Sequence, residues 1–168
     1  YQADLANSLG NLVNRVLKMS ERYFPGKMPK GVKAGGAWAK RLAATQEKYQ
    51  AAMGEYRFHL ALEAIMACVT DLNVAVDQEK PWVLAKGDLK KLEQVLYSLI
   101  ESLRILALWL APFMPEVAGK IYVALGLELK EAYAAKQYDL LQVWGGEELG
   151  GKVGDLPPLF PRLEEASA

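Results

Sequence analysis

The feature of the sequence that most constrains its fold is a seam of leucines at alternating spacings of four and three residues. Its members are Leu92, Leu96, Leu99, Leu103, Leu106 and Leu110. This spacing places all of them on one face of an α-helix. Asp88 can cap the amino terminus and Pro112 must end the helix, so we predict a helix over residues 89–110. A seam of this length must be buried by other helices.

The same periodicity predicts four further helices, over residues 3–24, 37–53, 55–77 and 115–125. The third of these has an apolar seam formed by Phe58, Leu62, Ile65, Val69, Leu72 and Val76. Residues 27–36 and 138–168 are rich in glycine and proline, which indicates a loop and an extended strap. No segment shows the alternation of a β-strand. We therefore predict an all-α, antiparallel helical bundle in one domain over 1–168, with helices in 1–137 and a strap in 138–168.

The composition excludes several classes of site. The 168 residues include 20 basic and 20 acidic side chains, one cysteine and one histidine. Cys68 cannot form an internal disulfide, and Cys/His metal sites are excluded because His59 has no partners of that kind. We interpret His59 as a structural residue. No apolar run approaches the ~20 residues that cross a bilayer, so no membrane partner is expected.

Basic residues are concentrated near the amino terminus. Residues 14–41 contain eight basic side chains and one acidic side chain. Asn11, Arg15, Lys18 and Arg22 follow one another at steps of four, three and four, which puts them on one face of the first predicted helix. Such a stripe can bind the phosphates of a nucleic acid, or it can be an ordinary solvated face.

Trp82 directly follows Pro81, which must break the preceding helix. A tryptophan held at a helix corner can stack on a nucleic-acid base, and RNA loops present such bases. The alternative is a tryptophan buried in the core. These residues alone favour the buried tryptophan over the stacking platform.

Four stretches resemble the anticodon-binding domain of bacterial methionyl-tRNA synthetases, in the same order along the chain. They are Asp4-Leu-Ala-Asn-Ser-Leu-Gly-Asn-Leu12, Leu72-Asn73 followed by Lys80-Pro81-Trp82, Leu110-Ala-Pro-Phe-Met-Pro115, and Leu159-Phe-Pro-Arg-Leu163. Together they span nearly the whole chain. Val74-Ala75 departs from the Arg-Tyr that often follows the Leu-Asn pair in this family.

The resemblance implies roles for particular residues. It implies that Trp82, after Pro81, stacks on anticodon bases and that Arg22 contacts the anticodon. Lys18 stands where some members have asparagine, and because lysine cannot accept a hydrogen bond we expect it to contact phosphate. Asn11 and Asn14 match the family's first helix. With Arg15 of the stripe, these residues form the expected anticodon-binding surface.

Lys18-Met19-Ser20 also resembles the KMSKS loop that binds ATP in class I aminoacyl-tRNA synthetases. We reject this match because these residues lie within a predicted helix and no nucleotide-binding sheet precedes them. We therefore expect no catalytic residue and no cofactor in this chain.

The resemblance also implies a function. The chain is expected to bind the CAU anticodon stem-loop of methionine tRNA for a catalytic domain in the same polypeptide. The parent enzyme, a cytoplasmic methionine–tRNA ligase, would use ATP and magnesium. Two alternatives remain open: the equivalent domain of a valyl, leucyl, isoleucyl or cysteinyl enzyme, and a helical protein–protein module with Trp82 in its core.

Overall fold

The computed structural model describes residues 7–31, 36–129, 138–146, 148–154, 156–157 and 159–160. The helices are α1 (Asn11–Tyr23), α2 (Gly36–Gly54), α3 (Phe58–Glu79), α4 (Pro81–Leu84), α5 (Leu89–Leu110), α6 (Pro115–Ala124) and α7 (Tyr138–Leu141). No β-strand occurs among these residues. The fold is the predicted all-α bundle.

Helix α5 is the centre of the bundle, and α1, α2, α3, α4 and α6 all pack against it. It begins and ends where the sequence predicts. The Asp88 carboxylate accepts a hydrogen bond of 2.9 Å from the Lys91 amide, which confirms its role as the amino-terminal cap. From residue 98 to residue 111 every side chain is buried, on all faces of the helix. The leucine seam is therefore only part of the buried surface of α5.

The amino-terminal helix differs from its prediction. Residues 7–10 form a π-helical turn, and the α-helix begins only at Asn11. Residues 3–6 of the predicted helix, including Leu5, lie outside the described part of the chain. The predicted apolar face is otherwise confirmed, since Leu9, Leu12 and Val16 are fully buried.

Helices α2 and α3 form a hairpin joined by a short turn at residues 55–57. Two expectations at this turn were wrong. Phe58 does not belong to the buried seam of α3, because it lies directly after the turn of the hairpin and is 48% exposed. His59 is exposed as well, one residue further into α3, and has no buried structural role.

The stretch Phe58–Leu84 is long and apolar enough to span a membrane by length and composition alone. The core helices of many soluble proteins meet the same criterion. Here Ile65, Val69 and Leu72 pack into the core, while Glu63 and Asp71 are exposed on the opposite side. The apolar character of this stretch is thus explained by its contacts with α2 and α5.

The segment that begins at α7 is fastened to α5 by a buried ion pair. Arg104 and Glu101 are fully buried, and the guanidinium donates from Nε and Nη2 to the two carboxylate oxygens at 2.9 and 2.7 Å. Arg104 also donates to the carbonyl oxygens of Leu141 and Val143. The Gly145 amide donates to Glu101 Oε1 at 2.7 Å. The pair therefore satisfies the polar main chain of a segment that has little regular structure.

Candidate nucleic-acid interface

Two polar contacts fix the position of the amino-terminal segment against α3. Asn73 Nδ2 donates to the carbonyl oxygen of Ser8, in the π-helical turn, at 3.2 Å. Further along both helices, Arg15 Nη2 lies 2.6 Å from Asp77 Oδ1. The residue numbers rise together on the two segments, from Ser8 to Arg15 and from Asn73 to Asp77, so α1 and α3 run in the same direction. The carboxyl-terminal halves of both helices therefore lie at the same end of the bundle.

At that end the chain turns sharply between α3 and α4. Lys80 adopts a left-handed conformation with φ of 47°, and its amide still donates to the Val76 carbonyl. Pro81 is buried and occupies the first position of α4, where its missing amide is not needed. A left-handed lysine is strained, and strain of this kind is often found at binding sites. The turn holds Trp82 at the outer corner, where its side chain is 42% exposed.

The outer face of α1 presents the predicted polar stripe. Asn11, Asn14, Lys18 and Arg22 are exposed, while Arg15 is half-buried in its ion pair with Asp77. No carboxylate of the described residues lies within salt-bridge distance of Lys18 or Arg22. The Arg22 guanidinium lies 5.6 Å from the ring centroid of Tyr23, an arrangement that leaves its charge available to an anion.

The helix geometry places these cations relative to the Trp82 corner. The side chain of Arg15 reaches Asp77, near the end of α3. With a rise of 1.5 Å per residue, Lys18 lies about 4.5 Å and Arg22 about 10 Å further along α1. These positions extend past the end of α3, where Lys80 and Trp82 follow. The stripe and the exposed indole thus share one end of the bundle.

The structure agrees with the rejection of the ATP-loop match. Residues 18–22 lie within α1, and Ser20 is fully buried, with Oγ donating to the Val16 carbonyl at 2.8 Å. A serine in this position cannot be presented to a nucleotide.

Comparison with known proteins identifies the family. The family model described as the anticodon-binding domain of tRNA ligase matches residues 38–149, about two thirds of the chain. The chain belongs to this family of anticodon-binding domains. A methionine–tRNA ligase of Halalkalibacterium halodurans is 38% identical to this anticodon-binding domain over 167 residues, which cover 96% of the chain and 25% of the ligase. A methionine–tRNA ligase of Enterococcus faecalis is 41% identical over 131 residues, 74% of the chain and 20% of that protein.

Solved structures give the same result. The anticodon-binding domain aligns with the apo form of Mycobacterium tuberculosis methionyl-tRNA synthetase with a TM-score of 0.83 and 31% identity, over 98% of this chain and 33% of that one. The resemblance to methionyl-tRNA synthetases is thereby confirmed. The chain spans between a fifth and a third of the length of these relatives. Of the two alternatives left open by the sequence, a module with a core tryptophan is disfavoured by the exposure of Trp82.

Two residues that position the interface have a role that the sequence does not predict. Nothing in the sequence identifies Asp77 as the partner of Arg15. Asn73 belongs to the Leu-Asn motif, but the motif does not predict that its side chain ties the π-helical turn to α3. The one feature of the sequence that points to this role of Asn73 is the position of its amide beside the apolar seam of α3. The Oδ1 atom of Asn73 is buried without a hydrogen-bond partner among the described residues.

Proposed function

We propose that this domain recognises the CAU anticodon loop of methionine tRNA and orients it for a catalytic domain in the same polypeptide. One observation carries the proposal. Trp82 is exposed at a proline-fixed corner, at the end of the bundle toward which Lys18 and Arg22 of α1 extend, in a chain whose relatives are methionine–tRNA ligases. Proteins that bind single-stranded RNA loops commonly stack the bases on aromatic side chains and contact the phosphates with cations.

Each residue of the interface has a distinct proposed role. Trp82 stacks on an anticodon base, which contributes about 1–3 kcal/mol per base. Arg22 donates to a base edge with its forked guanidinium, and Lys18 contacts a phosphate as a point charge. Asn11 and Asn14 are secondary candidates, because their exposed amides can both donate and accept hydrogen bonds.

Arg15 and Pro81 act by positioning their neighbours. The charge of Arg15 is balanced by Asp77, so its main effect is to hold α1 in register with α3. Pro81 fixes the backbone that presents Trp82, which lowers the entropy lost when the indole stacks. In this arrangement the surface is formed before the RNA binds.

The parent protein is proposed to be a cytoplasmic ligase that uses ATP and magnesium. We propose that it joins methionine to a tRNA because its relatives are named methionine–tRNA ligase and methionyl-tRNA synthetase. That chemistry belongs to the catalytic domain. The domain described here contributes affinity and selection of the tRNA.

The experiment is a gel-shift titration of this chain with anticodon stem-loops. We expect the CAU loop to bind more tightly than loops with single-base changes, each of which costs about 1–3 kcal/mol when a bidentate base contact is lost. Equal binding of all loops would refute anticodon recognition. Preferential binding of a loop with a valine, leucine, isoleucine or cysteine anticodon would instead assign the domain to another synthetase.

A further inference from the structure

The loop that follows α1 carries two more cations and is held rigidly against the bundle. We propose that residues 27–31, the post-α1 loop, form a second phosphate-binding element that grips the strand flanking the anticodon. This inference rests on the proposed function and adds Lys27 and Lys30 to the RNA-binding surface.

Two hydrogen bonds fix the main chain of the post-α1 loop. The Met28 amide donates to the Gly151 carbonyl at 3.0 Å, which ties the loop to the carboxyl-terminal segment. The Lys30 amide donates to Glu93 Oε1, on α5, at 3.1 Å. The loop is thus anchored on two sides by parts of the chain that are distant in sequence.

A close approach at Gly31 provides a third anchor. A Cβ atom at this position would lie 1.9 Å from Cδ1 of Tyr97, so only glycine lets the backbone rest on the Tyr97 ring. Pro29 is buried in the same loop. A loop restrained in this way has little conformational entropy left to lose when it binds a ligand.

The lysine side chains of the loop remain exposed. No carboxylate of the described residues lies within salt-bridge distance of Lys27 or Lys30, although Glu93 and Glu148 line the same groove of about 800 Å³ as the two lysines. Glu93 accepts a hydrogen bond from the Lys30 main chain instead of pairing with its ammonium group. The two carboxylates repel phosphate, so an RNA strand would contact this groove through Lys27 and Lys30, which line it as well.

The position of the loop points to the occupant. It directly follows the end of α1 that carries Lys18 and Arg22, so the cationic surface continues beyond the proposed anticodon contacts. Lysines on a backbone-tracking surface contact phosphates and carry no sequence information of their own. The proposed occupant is therefore the phosphate backbone next to the anticodon triplet.

The first test measures the salt dependence of stem-loop binding. The double variant Lys27→Gln/Lys30→Gln is compared with Lys48→Gln/Lys120→Gln, which removes two exposed lysines from α2 and α6. Between about 50 and 200 mM salt, the plot of log K against log salt should be less steep for the loop variant than for the parent. The negative slope should decrease in magnitude by about 1.4–1.8. It should weaken CAU and variant loops by the same factor, and the control pair should match the parent.

An unchanged slope for the loop variant would overturn the inference while the CAU preference of the parent still supported the proposed function. A loss confined to the CAU loop would also overturn it, because phosphate contacts do not discriminate bases. If the parent bound no stem-loop, the proposed function and this inference would fail together.

A second test isolates the anchoring of the loop by Glu93. Glu93→Gln and Glu93→Ala both remove the negative charge, but only glutamine keeps an oxygen that can accept from the Lys30 amide. We expect Glu93→Ala to bind the stem-loop roughly two- to tenfold more weakly than Glu93→Gln. Equal affinities, with both variants folded by circular dichroism, would show that the anchor does not position the loop.

Discussion

Glu101→Gln is a small chemical change that should strongly reduce the stability of this domain. It replaces a carboxylate with a neutral amide and preserves the shape of the side chain. In the parent, Glu101 accepts two hydrogen bonds from Arg104 and one from the Gly145 amide, and both side chains of the pair are completely buried. The substitution therefore removes the carboxylate that faces the Arg104 guanidinium in the core.

The magnitude follows from these contacts. A hydrogen bond to a charged group contributes about 1.5–3 kcal/mol, and three of them are weakened together. Breaking a buried pair from one side costs about 3–5 kcal/mol in total, because the remaining charge is desolvated and unbalanced. The carbonyls of Leu141 and Val143 still accept from Arg104, which keeps the loss at the lower end of that range. Domains have a free energy of unfolding of about 5–15 kcal/mol, so this loss would remove a large part of it.

The assay is urea unfolding followed by circular dichroism, with hydrogen exchange at the Gly145 amide as a local probe. We expect a loss of about 3–4 kcal/mol and faster exchange at Gly145. Glu63→Gln is the matched control, because Glu63 is exposed on α3 and its change should stay within about 0.5 kcal/mol. A loss below about 1 kcal/mol for Glu101→Gln would refute the reasoning, since a surface pair gives that value.

Three further predictions concern packing, alkaline pH and base reading. Gly150→Ala should lose about 1–3 kcal/mol in thermal melts because its Cβ would lie 2.6 Å from a main-chain oxygen after α6, whereas Gly151→Ala, with open space around it, should melt like the parent. Burial raises the pKa of the Cys68 thiol from 9.0 to about 11, so the folded state holds its proton longer and stability should fall by about 2–3 kcal/mol as pH rises through that window. Urea midpoints of Cys68→Ala should show a smaller alkaline decline, and an identical decline would contradict the assignment. In stem-loop titrations Arg22→Ala should reduce discrimination among anticodons, whereas Lys18→Ala should weaken all loops equally; equal, sequence-independent losses at both positions would mean that Arg22 supplies only charge.

The sequence was most informative where a local signal decides the structure. The bounds of α5 follow from Asp88 and Pro112, because a cap and a proline act within one turn. The exposed corner at Trp82 follows from Pro81 in the same way. The start of α1 could not be found, because its π-helical turn is held by Asn73, more than 60 residues away along the chain.

The buried ion pair shows a second limit. Charged residues three apart on a helix usually lie on the solvated face, so Glu101 and Arg104 resemble a surface pair in the sequence. They are buried because α7 and the residues after it cover that side of α5 and need partners for their main-chain groups. Likewise, the pairing of Arg15 with Asp77 depends on how α1 lies against α3. Such contacts are set by tertiary packing and leave no local pattern.

The most direct test of the account is a paired measurement on Trp82→Ala and Trp82→Phe, with thermal melts for stability and CAU stem-loop titration for affinity. Because Trp82 is 42% exposed, its removal should cost less stability than the roughly 3–5 kcal/mol expected for a fully buried indole. Loop binding of Trp82→Ala, corrected for the folded fraction, should weaken by about 1–3 kcal/mol, and Trp82→Phe should keep part of the affinity. If the folded fraction of Trp82→Ala bound the CAU stem-loop as tightly as the parent, the stacking role of Trp82 would be contradicted.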